Sequence, residues 1–546
     1  MANVTDSSSL LVVPSGWSDG VLGSLKPDDG SGDFTFSRGS DLSATRVNED
    51  GYIEKAYGNL ILQSNTLDTS PWPGTSASYT VTGGQVGYDG SNDAWEFNKL
   101  GTGNSYYTAN HNLPYSISTN TLYLKAGTAN GIYIFLGTPY IGINIETGNV
   151  WSQRQIIDYS LTDVGNGWKK LVWTYYSTYT AWGFQIAHND ALSAVGTIYI
   201  QDIQVNEGIS SMPYLETGST PVYAGISEDQ PLIDYLHNQN GVLHIRPERT
   251  NLITYSDIEI NPTNPTSGYT KGFINESIFT EGSSRRFIYD ASGNSYQYLQ
   301  YGTYNLDLNE DYCISAYFKP VQGSEIFVGT YGSADGTGFI RVNFDTLTTT
   351  VHAPNSLVVI TEHDVISVND DGWYYVYMVF HQTSGGTCRP CHSYSWDIKV
   401  GSTSDEIYVG PYQLEKGSFP TSIIPSYRVA TTCPKETATL TKNVAATGTI
   451  FININADNAK TLTFLGGNVS VTQGVNKIAL AYSPTALKIS HNGSIVQNIA
   501  RAFDTSSLTE IQLGHRNNFE QTTDSINQFL TLDSFLTDTE LNELTA

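Results

Sequence analysis

Apolar and polar residues alternate with a period of two through much of this chain, the pattern of a strand with one buried face. Tyr199, Gln201, Ile203 and Val205 fall on one side of an extended segment, and Thr449-Ile450-Phe451-Ile452-Asn453-Ile454 alternates in the same way. Lys477 to Tyr482 and Ala486 to Ser490 follow, and Asn492-Gly493 beyond them predicts a tight hairpin. Nowhere does a 3.6-residue period persist. The one helix signal is terminal, where Thr537 and Glu540 form a capping box. The pattern predicts an all-β protein.

Three landmarks occur twice in the same order, so the chain contains an internal repeat. Each copy opens on a related string, Asn59-Leu60-Ile61-Leu62-Gln63-Ser64 and Asn251-Leu252-Ile253-Thr254-Tyr255-Ser256. Midway lies a Gly-Trp step into an apolar run, at Gly167-Trp168 and at Gly372-Trp373. Each copy closes on a long strand, Ile198 to Gly208 and Ile407 to Gly417, with Pro213 or Pro420 beyond it. Glu207 and Glu415 are read as equivalent, each making a buried hydrogen bond at a module end. Trp168 and Trp173 should point to opposite sides of their strand, one into the core and one toward a surface. Size and texture predict a β-sandwich of jelly-roll type for each copy. The expected order is an N-terminal attachment segment over 1–58, module one over 59–217, a connector over 218–250, module two over 251–428 and a different domain over 429–546.

Composition supports folding and narrows the partners. Of 546 residues, 39% are hydrophobic and 12% aromatic, with 36 Tyr and 50 Gly, while only 15% are charged. Disordered chains show the reverse balance. A formal charge of −26, from 27 basic and 53 acidic side chains, repels phosphate backbones, so no nucleic-acid partner is expected. No run approaches the ~20 apolar residues of a membrane span, and no basic, apolar leader opens the chain.

Candidate chemistry is sparse. Cys313, Cys388, Cys391 and Cys433 are too few for a disulfide framework. Cys388 and Cys391 with His392 and His381 resemble half a zinc site, with no second pair to complete it. Asp202, Glu207, Asp405 and Glu415 offer oxygens to structural calcium, but no EF-hand spacing surrounds them, so no cofactor is expected. Asp257-Ile258-Glu259 is the nearest approach to paired hydrolytic carboxylates. There is no Gly-x-Ser-x-Gly elbow, phosphate loop or His-Glu-x-x-His, and the chain reads as non-enzymatic.

Two strings resemble segments recurrent in tail-fibre and other appendage proteins of tailed bacteriophages. They are Phe34-Thr35-Phe36-Ser37-Arg38…Ala44-Thr45-Arg46-Val47-Asn48…Gly51-Tyr52-Ile53-Glu54 and Ile233-Asp234-Tyr235…Gly241-Val242-Leu243…Pro247-Glu248-Arg249-Thr250-Asn251-Leu252…Tyr255-Ser256. The repeated modules resemble carbohydrate-binding jelly rolls. The tail is similar to concanavalin-A-like (laminin-G-like) sandwiches, whose last strand leads into a helical turn such as Leu536-Thr537-Asp538-Thr539-Glu540-Leu541. The resemblance implies a virion protein, assembled in the host cytoplasm without a signal peptide. It implies contacts with other tail or capsid proteins, a homo-oligomer with three the expected number, and display toward host-surface glycans. A head decoration without a specific receptor and a capsule depolymerase are the alternatives. Sugar binding would use exposed aromatics that stack on pyranose faces, with amides and carboxylates on the hydroxyls. The candidates are Tyr175, Tyr176, Tyr179 and Trp182, near Asn189 and Asp190, and Tyr298, Tyr301 and Tyr304, near Tyr296 and Asn294.

Overall fold

The computed structural model describes residues 7–546 except 14–16, 19–20, 41–42, 177–178, 227–229, 237, 257–268, 275, 280–283, 290–297, 333–335, 354–355, 394–404, 457–459, 465–466, 501–507 and 514–524. All described strand pairs are antiparallel, and the chain is all-β apart from the terminal helix Asp538–Thr545. Thr537 caps that helix: the Thr537 amide donates to Glu540 Oε2 at 2.8 Å and the Glu540 amide to Thr537 Oγ1 at 3.4 Å. Asn492 and Gly493 both take positive φ, which the two-residue hairpin between Ala486–His491 and Ser494–Ile499 requires.

The repeat seen in sequence is a repeat of topology. Module one stacks a six-stranded sheet on a five-stranded one. The larger runs in the order Ile156–Gly165, Trp168–Tyr176, Ile117–Ala126, Gly196–Glu207, Ala94–Lys99, Tyr79–Gln85. The smaller runs Tyr107–Asn110, Ala181–Ala187, Gly131–Phe135, Tyr140–Asn144, Val150–Arg154. Module two repeats both orders, the first through Val358–Ser367, Tyr374–Gln382, Tyr312–Gln322, Glu406–Lys416, Ser284–Tyr289 and Tyr269–Ile274. Its second sheet is Tyr298–Gln300, Pro390–Ser393, Glu325–Thr330, Gly338–Asn343, Thr348–His352. Inward positions of both sheets interdigitate: Leu122, Leu171, Trp173 and Ile200 meet Ile134, Ile141, Trp182 and Phe184 in module one. Each such fully buried side chain contributes roughly 1.5–3 kcal/mol.

The closing strand departs from simple alternation. Ile198 and Ile200 face the core, but so do Ile203 and Val205, because the register slips between Thr121 and Tyr123. Asp202, at φ 54°, sits in this bulge. Tyr199 and Gln201 therefore face away from the core that Ile203 and Val205 fill. Module two slips at the same place, between Ala316 and Phe318, so that Val409 and Tyr412 both face inward. The register also corrects the expected pairing of acids. Thr119 opposes Asn206 as Cys313 opposes Glu415, so Glu415 is equivalent to Asn206 rather than to Glu207. Trp168 and Trp173 are both buried, and neither lines a surface.

The paired opening strings are the clasps of the modules. Asn59 Nδ2 donates to the Ile203 and Leu215 carbonyls at 3.0 and 2.8 Å, while its Oδ1 accepts from the Ile61 and Val205 amides. Asn251 repeats this with the Ile424 carbonyl at 3.0 Å and the Ile253 and Leu414 amides. Ser64 and Ser256 then tie to the departing chain, accepting from the Thr217 and Ser426 amides at 2.9 and 3.0 Å. Entering and leaving strands also pair, Tyr57–Asn59 with Val222–Ala224 and Arg249–Asn251 with Thr431–Cys433. Each module thus closes on its own ends.

Residues 1–58 and 218–250, expected as an attachment segment and a connector, contribute strands to the C-terminal sandwich. Its larger sheet runs Leu232–Asp234, Val242–His244, Ser525–Leu532, Gly448–Ala456, Gly474–Ser483, Ala486–His491, Ser494–Ile499, and Leu10–Val12 also pairs with Ser525–Leu532. The facing sheet runs Trp17–Ser18, Val21–Leu22, Phe34–Ser37, Thr437–Thr441, Glu510–Leu513. Phe34 and Phe36 alternate into a core shared with Leu243, Ile245, Leu440, Ile489 and Phe529. Two such faces cannot stay in water, and residues 429–546 alone do not cover them. The hairpin Thr45–Val47 with Ile53–Lys55 then packs Val47 and Ile53 on the outer face of module two's larger sheet, against Trp373, Tyr375 and Tyr377. That face is why Tyr374–Gln382 is apolar on both sides: Val376, Met378 and Phe380 fill the sandwich core. The C-terminal sandwich is a hub from which both modules loop out.

A buried ion cluster joins the three pieces of the hub. Glu436 Oε1 accepts from Arg38 Nε at 2.6 Å and from Arg246 Nη2 at 3.0 Å, and Oε2 accepts from the Arg246 amide at 2.8 Å. Burial disfavours the Glu436 carboxylate, but Arg246 and Arg38 outweigh it and hold its pKa below the usual range. Arg38 Nη2 also donates to the Gln230 carbonyl and Arg246 Nη1 to Ser422 Oγ, both at 2.7 Å, and Arg246 Nη2 to Cys433 Sγ at 3.2 Å. Arg38 belongs to the string Phe34-Thr35-Phe36-Ser37-Arg38, and Arg246 directly precedes Pro247-Glu248-Arg249-Thr250.

Candidate functional site

The five-stranded sheet of module one turns an aromatic face outward. Along Gly131–Phe135, Ile132 and Ile134 enter the core, which leaves Gly131, Tyr133 and Phe135 outside. Ile141 and Ile143 of Tyr140–Asn144 likewise leave Tyr140 and Gly142 outside. The rings form a row: Tyr106 to Phe135 at 5.0 Å, Phe135 to Tyr133 at 6.1 Å, Tyr133 to Tyr140 at 5.2 Å between centroids. Tyr106 is 51% exposed, and the others are half-buried.

Glycines let these rings lie low. Trp151 spreads across the sheet so that a Cβ on Gly142 would stand 2.5 Å from its Nε1, and one on Gly131 would stand 2.9 Å from its Cη2. Gly183 opposes Phe135, whose Cζ a Cβ there would meet at 3.1 Å. Glycine inside a strand weakens it, so this placement marks a surface kept flat. Burial pushes the Tyr133 phenol up to about 12, aided by Tyr140 and Tyr106. That hydroxyl stays protonated and able to donate.

Amides close one end of the row. Asn144 Nδ2 and Asn130 Nδ2 both donate to Asn189 Oδ1, at 3.2 and 3.3 Å, and Asn130 Nδ2 also reaches Glu146 Oε2 at 3.1 Å. Asn189 holds this position at φ 51°. A flat, half-wet aromatic strip edged by amides takes ligands that combine an apolar face with a rim of hydroxyls.

Of the aromatic residues expected to bind, Tyr179 alone lies beside this strip, and the expected Asn189 sits in its amide cluster. Tyr179 is 47% exposed, and its ring covers Gly137 in the turn between Gly131–Phe135 and Tyr140–Asn144. Tyr175 and Trp182 are core residues, and Trp182 shares the Asn120 Oδ1 acceptor with Trp173 at 3.0 and 2.8 Å. Tyr176 packs toward Tyr255 at the start of module two, 6.4 Å between centroids. In module two Tyr301 is buried and stacks on Tyr412 at 4.1 Å, Tyr304 packs against the sandwich core, and Tyr298 leans on Tyr331 at 4.9 Å. The equivalent outer face there is closed, with Phe327, Phe339 and Cys391 buried. Tyr296, Asn294 and Asp257-Ile258-Glu259 lie outside the described residues.

Tyr106, Tyr133, Phe135, Tyr140 and Trp151 were missed in sequence. A signal existed: isoleucines at alternate positions in Gly131-Ile132-Tyr133-Ile134-Phe135 and Tyr140-Ile141-Gly142-Ile143 leave rings and glycines on the opposite face. Which strands lie side by side was not readable.

The proposed metal ligands have other partners. Glu415 Oε1 accepts from the Thr421 amide at 2.7 Å and Gln413 Nε2 at 2.9 Å, which makes it part of the module-two closure. Burial raises the Glu207 pKa against the pull of Ser116 and Lys55. Asp202 accepts from the Tyr88 hydroxyl at 3.0 Å, and burial, with repulsion from Asp93, Asp89 and Glu216, pushes it up to about 7. Asp405 is buried. Cys388 and Cys391 are buried, with burial pushing the Cys388 thiol up to about 12, and His392 is driven down to about 3 in the core. His381 Nδ1 lies 3.1 Å from Asp311. Among the described residues no group of three or more His, Cys, Asp or Glu side chains is arranged to hold a metal ion.

No protein-family model matches the sequence, and no curated protein matches it. Among solved structures, a match is the N-terminal CBM22-1–CBM22-2 tandem domain of Xyn10C from Paenibacillus barcinonensis. The match covers 70% of this chain and 100% of that one at 11% identity, with a TM-score of 0.23.

Proposed function

We propose that this chain is a non-catalytic carbohydrate-binding protein that holds a saccharide chain on the outer face of module one's five-stranded sheet. The aromatic row built over Gly131, Gly142 and Gly183 carries this reading. Pyranose rings present apolar C–H faces, which Trp151, Tyr133, Tyr140 and Phe135 would cover, while the Asn130–Asn144–Asn189 cluster would meet the hydroxyls. Neighbouring rings along the row offer successive stacking places, which suits a polymer better than a single sugar. Module two, with the same face closed, serves as a spacer welded to the hub.

The two phage-like strings support a virion appendage as the setting, with oligomeric display toward host-surface glycans. The hub gives such strings a structural reason, since Arg38 and Arg246 meet there.

The test is affinity electrophoresis of the full chain through soluble polysaccharides, beside a glycan array and an assay for released reducing ends. Retardation by at least one polysaccharide, lost in Trp151→Ala and Tyr133→Ala and without product release, supports the reading. Retardation untouched by both variants would remove the strip from it, and reducing ends released by wild type would replace it with a depolymerase.

A further inference from the structure

A concave site lies away from the aromatic strip. A cavity of about 260 Å³ opens where module two, residues 234–244 and the C-terminal sandwich meet. It holds far more than isolated waters. One wall is aromatic: Tyr317, Tyr375 and Tyr377 project from the outer face of module two's larger sheet, with centroids 4.9 Å apart for the first pair and 6.1 Å for the second.

Three carboxylates also line it, beside the neutral Thr421, Ser422, Asn455 and Gln473. Glu362 and Asp364 come from Val358–Ser367, where Asp364 opposes Tyr377, and Asp234 comes from Leu232–Asp234. Their orientation is set by the fold. Glu362 Oε1 accepts from the Tyr377 hydroxyl at 2.9 Å, and Asp234 Oδ2 and Oδ1 accept from the Val47 and Leu236 amides at 3.0 and 2.9 Å. Among the described residues the lining includes His244 but no Lys or Arg; Arg246 stands behind it, donating to Ser422 Oγ. Three carboxylates around a recess with low-dielectric walls focus a negative potential into it. A small, strongly hydrated metal ion would need several oxygens converging on one point, and no such set of acids is present among the described residues. A weakly hydrated organic cation fits better, because tyrosine faces attract it and carboxylates at the rim complete its neutralisation.

We propose that this cavity binds a small organic amine in its ammonium form. The site is independent of the aromatic strip on module one, so either can fail without the other. It uses chain pieces far apart in sequence, so it exists only when the hub is assembled.

Isothermal titration of the full chain with glucosamine, choline and glucose tests it. Saturable binding of glucosamine, choline or both, with glucose silent, supports the proposal. Glu362→Gln should weaken the bound amine by about tenfold or more, since it removes a charge from a partly desolvated site. Asp364→Asn, at an exposed position that carries little folding risk, should weaken it several-fold, and added salt should weaken it in wild type. Glucose binding as tightly as glucosamine would overturn the proposal in favour of a polyol site. So would the absence of any amine binding, or amine binding that neither variant changes in a protein whose melting temperature is preserved.

Discussion

Replacing Glu436 by Gln tests the account of the hub directly. The carboxylate is fully buried, its Oε1 lies 2.6 Å from Arg38 Nε and 3.0 Å from Arg246 Nη2, and both guanidinium groups are buried with it. The amide keeps the shape but removes the carboxylate that both guanidinium groups contact, leaving two buried cations facing each other. Breaking a buried pair in this way costs about 3–5 kcal/mol, mostly as the penalty of uncompensated charge. The loss falls on the hub, because Arg38, Arg246 and Glu436 come from its three pieces. Hydrogen exchange read by mass spectrometry separates this local loss from global unfolding. In the limit where opening is at equilibrium, amides of Phe34–Ser37 and Thr437–Thr441 should exchange roughly a hundred- to a few-thousand-fold faster, at one factor of ten per 1.4 kcal/mol. Amides of Ile117–Ala126 inside module one should be unchanged. A companion variant with Met at positions 38, 246 and 436 should recover most of the loss, because a packed apolar trio carries no unpaired charge. The reasoning fails if Glu436→Gln shifts hub exchange less than about tenfold, or if module one loosens equally. Acid should mimic the mutation: with the folded pKa below the unfolded value, the contribution is present above the unfolded pKa and is lost as pH falls through the folded one.

Three further outcomes are expected. Trp151→Ala or Tyr133→Ala should weaken polysaccharide retardation about tenfold each while leaving the melting temperature within a few degrees, since both rings are only half-buried; a collapse of folding would show that the strip is structural. Asn59→Ala and Asn251→Ala should each cost about 1–3 kcal/mol by orphaning buried backbone groups, read as faster exchange of their own module alone. Asp202, pushed up to about 7, makes module one lose stability as pH rises from the ordinary carboxylate range to that value, because the unfolded chain releases its proton first. Asp202→Asn keeps an acceptor for Tyr88 and tolerates the positive φ, so its stability should be flat over that range; a slope equal to wild type would place the titration elsewhere.

Local chemistry in the sequence determined a good deal. Period-two alternation, the Asn492-Gly493 hairpin and the Thr537–Glu540 cap each depend on neighbours a few residues away; the hairpin and the cap formed as the pattern required, and alternation held up to the bulge at Asp202. The repeat was also readable, because the opening strings mark clasps that any copy of this sandwich needs. What sequence could not order was everything set by distant partners. Gln201 and Ile203 parted faces because Asp202 bulges, and a single extra residue inverts the phase of all that follows. The tyrosines Tyr175 and Tyr301 became core while Tyr133 and Tyr140 became surface, since exposure depends on which sheet lies opposite. Phe34 and Phe36 stand two apart, as one buried face requires, but only the tertiary structure supplied the strands that bury it, hundreds of residues downstream. The hub, the strip and the acidic cavity belong to that second class: each is made of side chains that only long-range packing brings together.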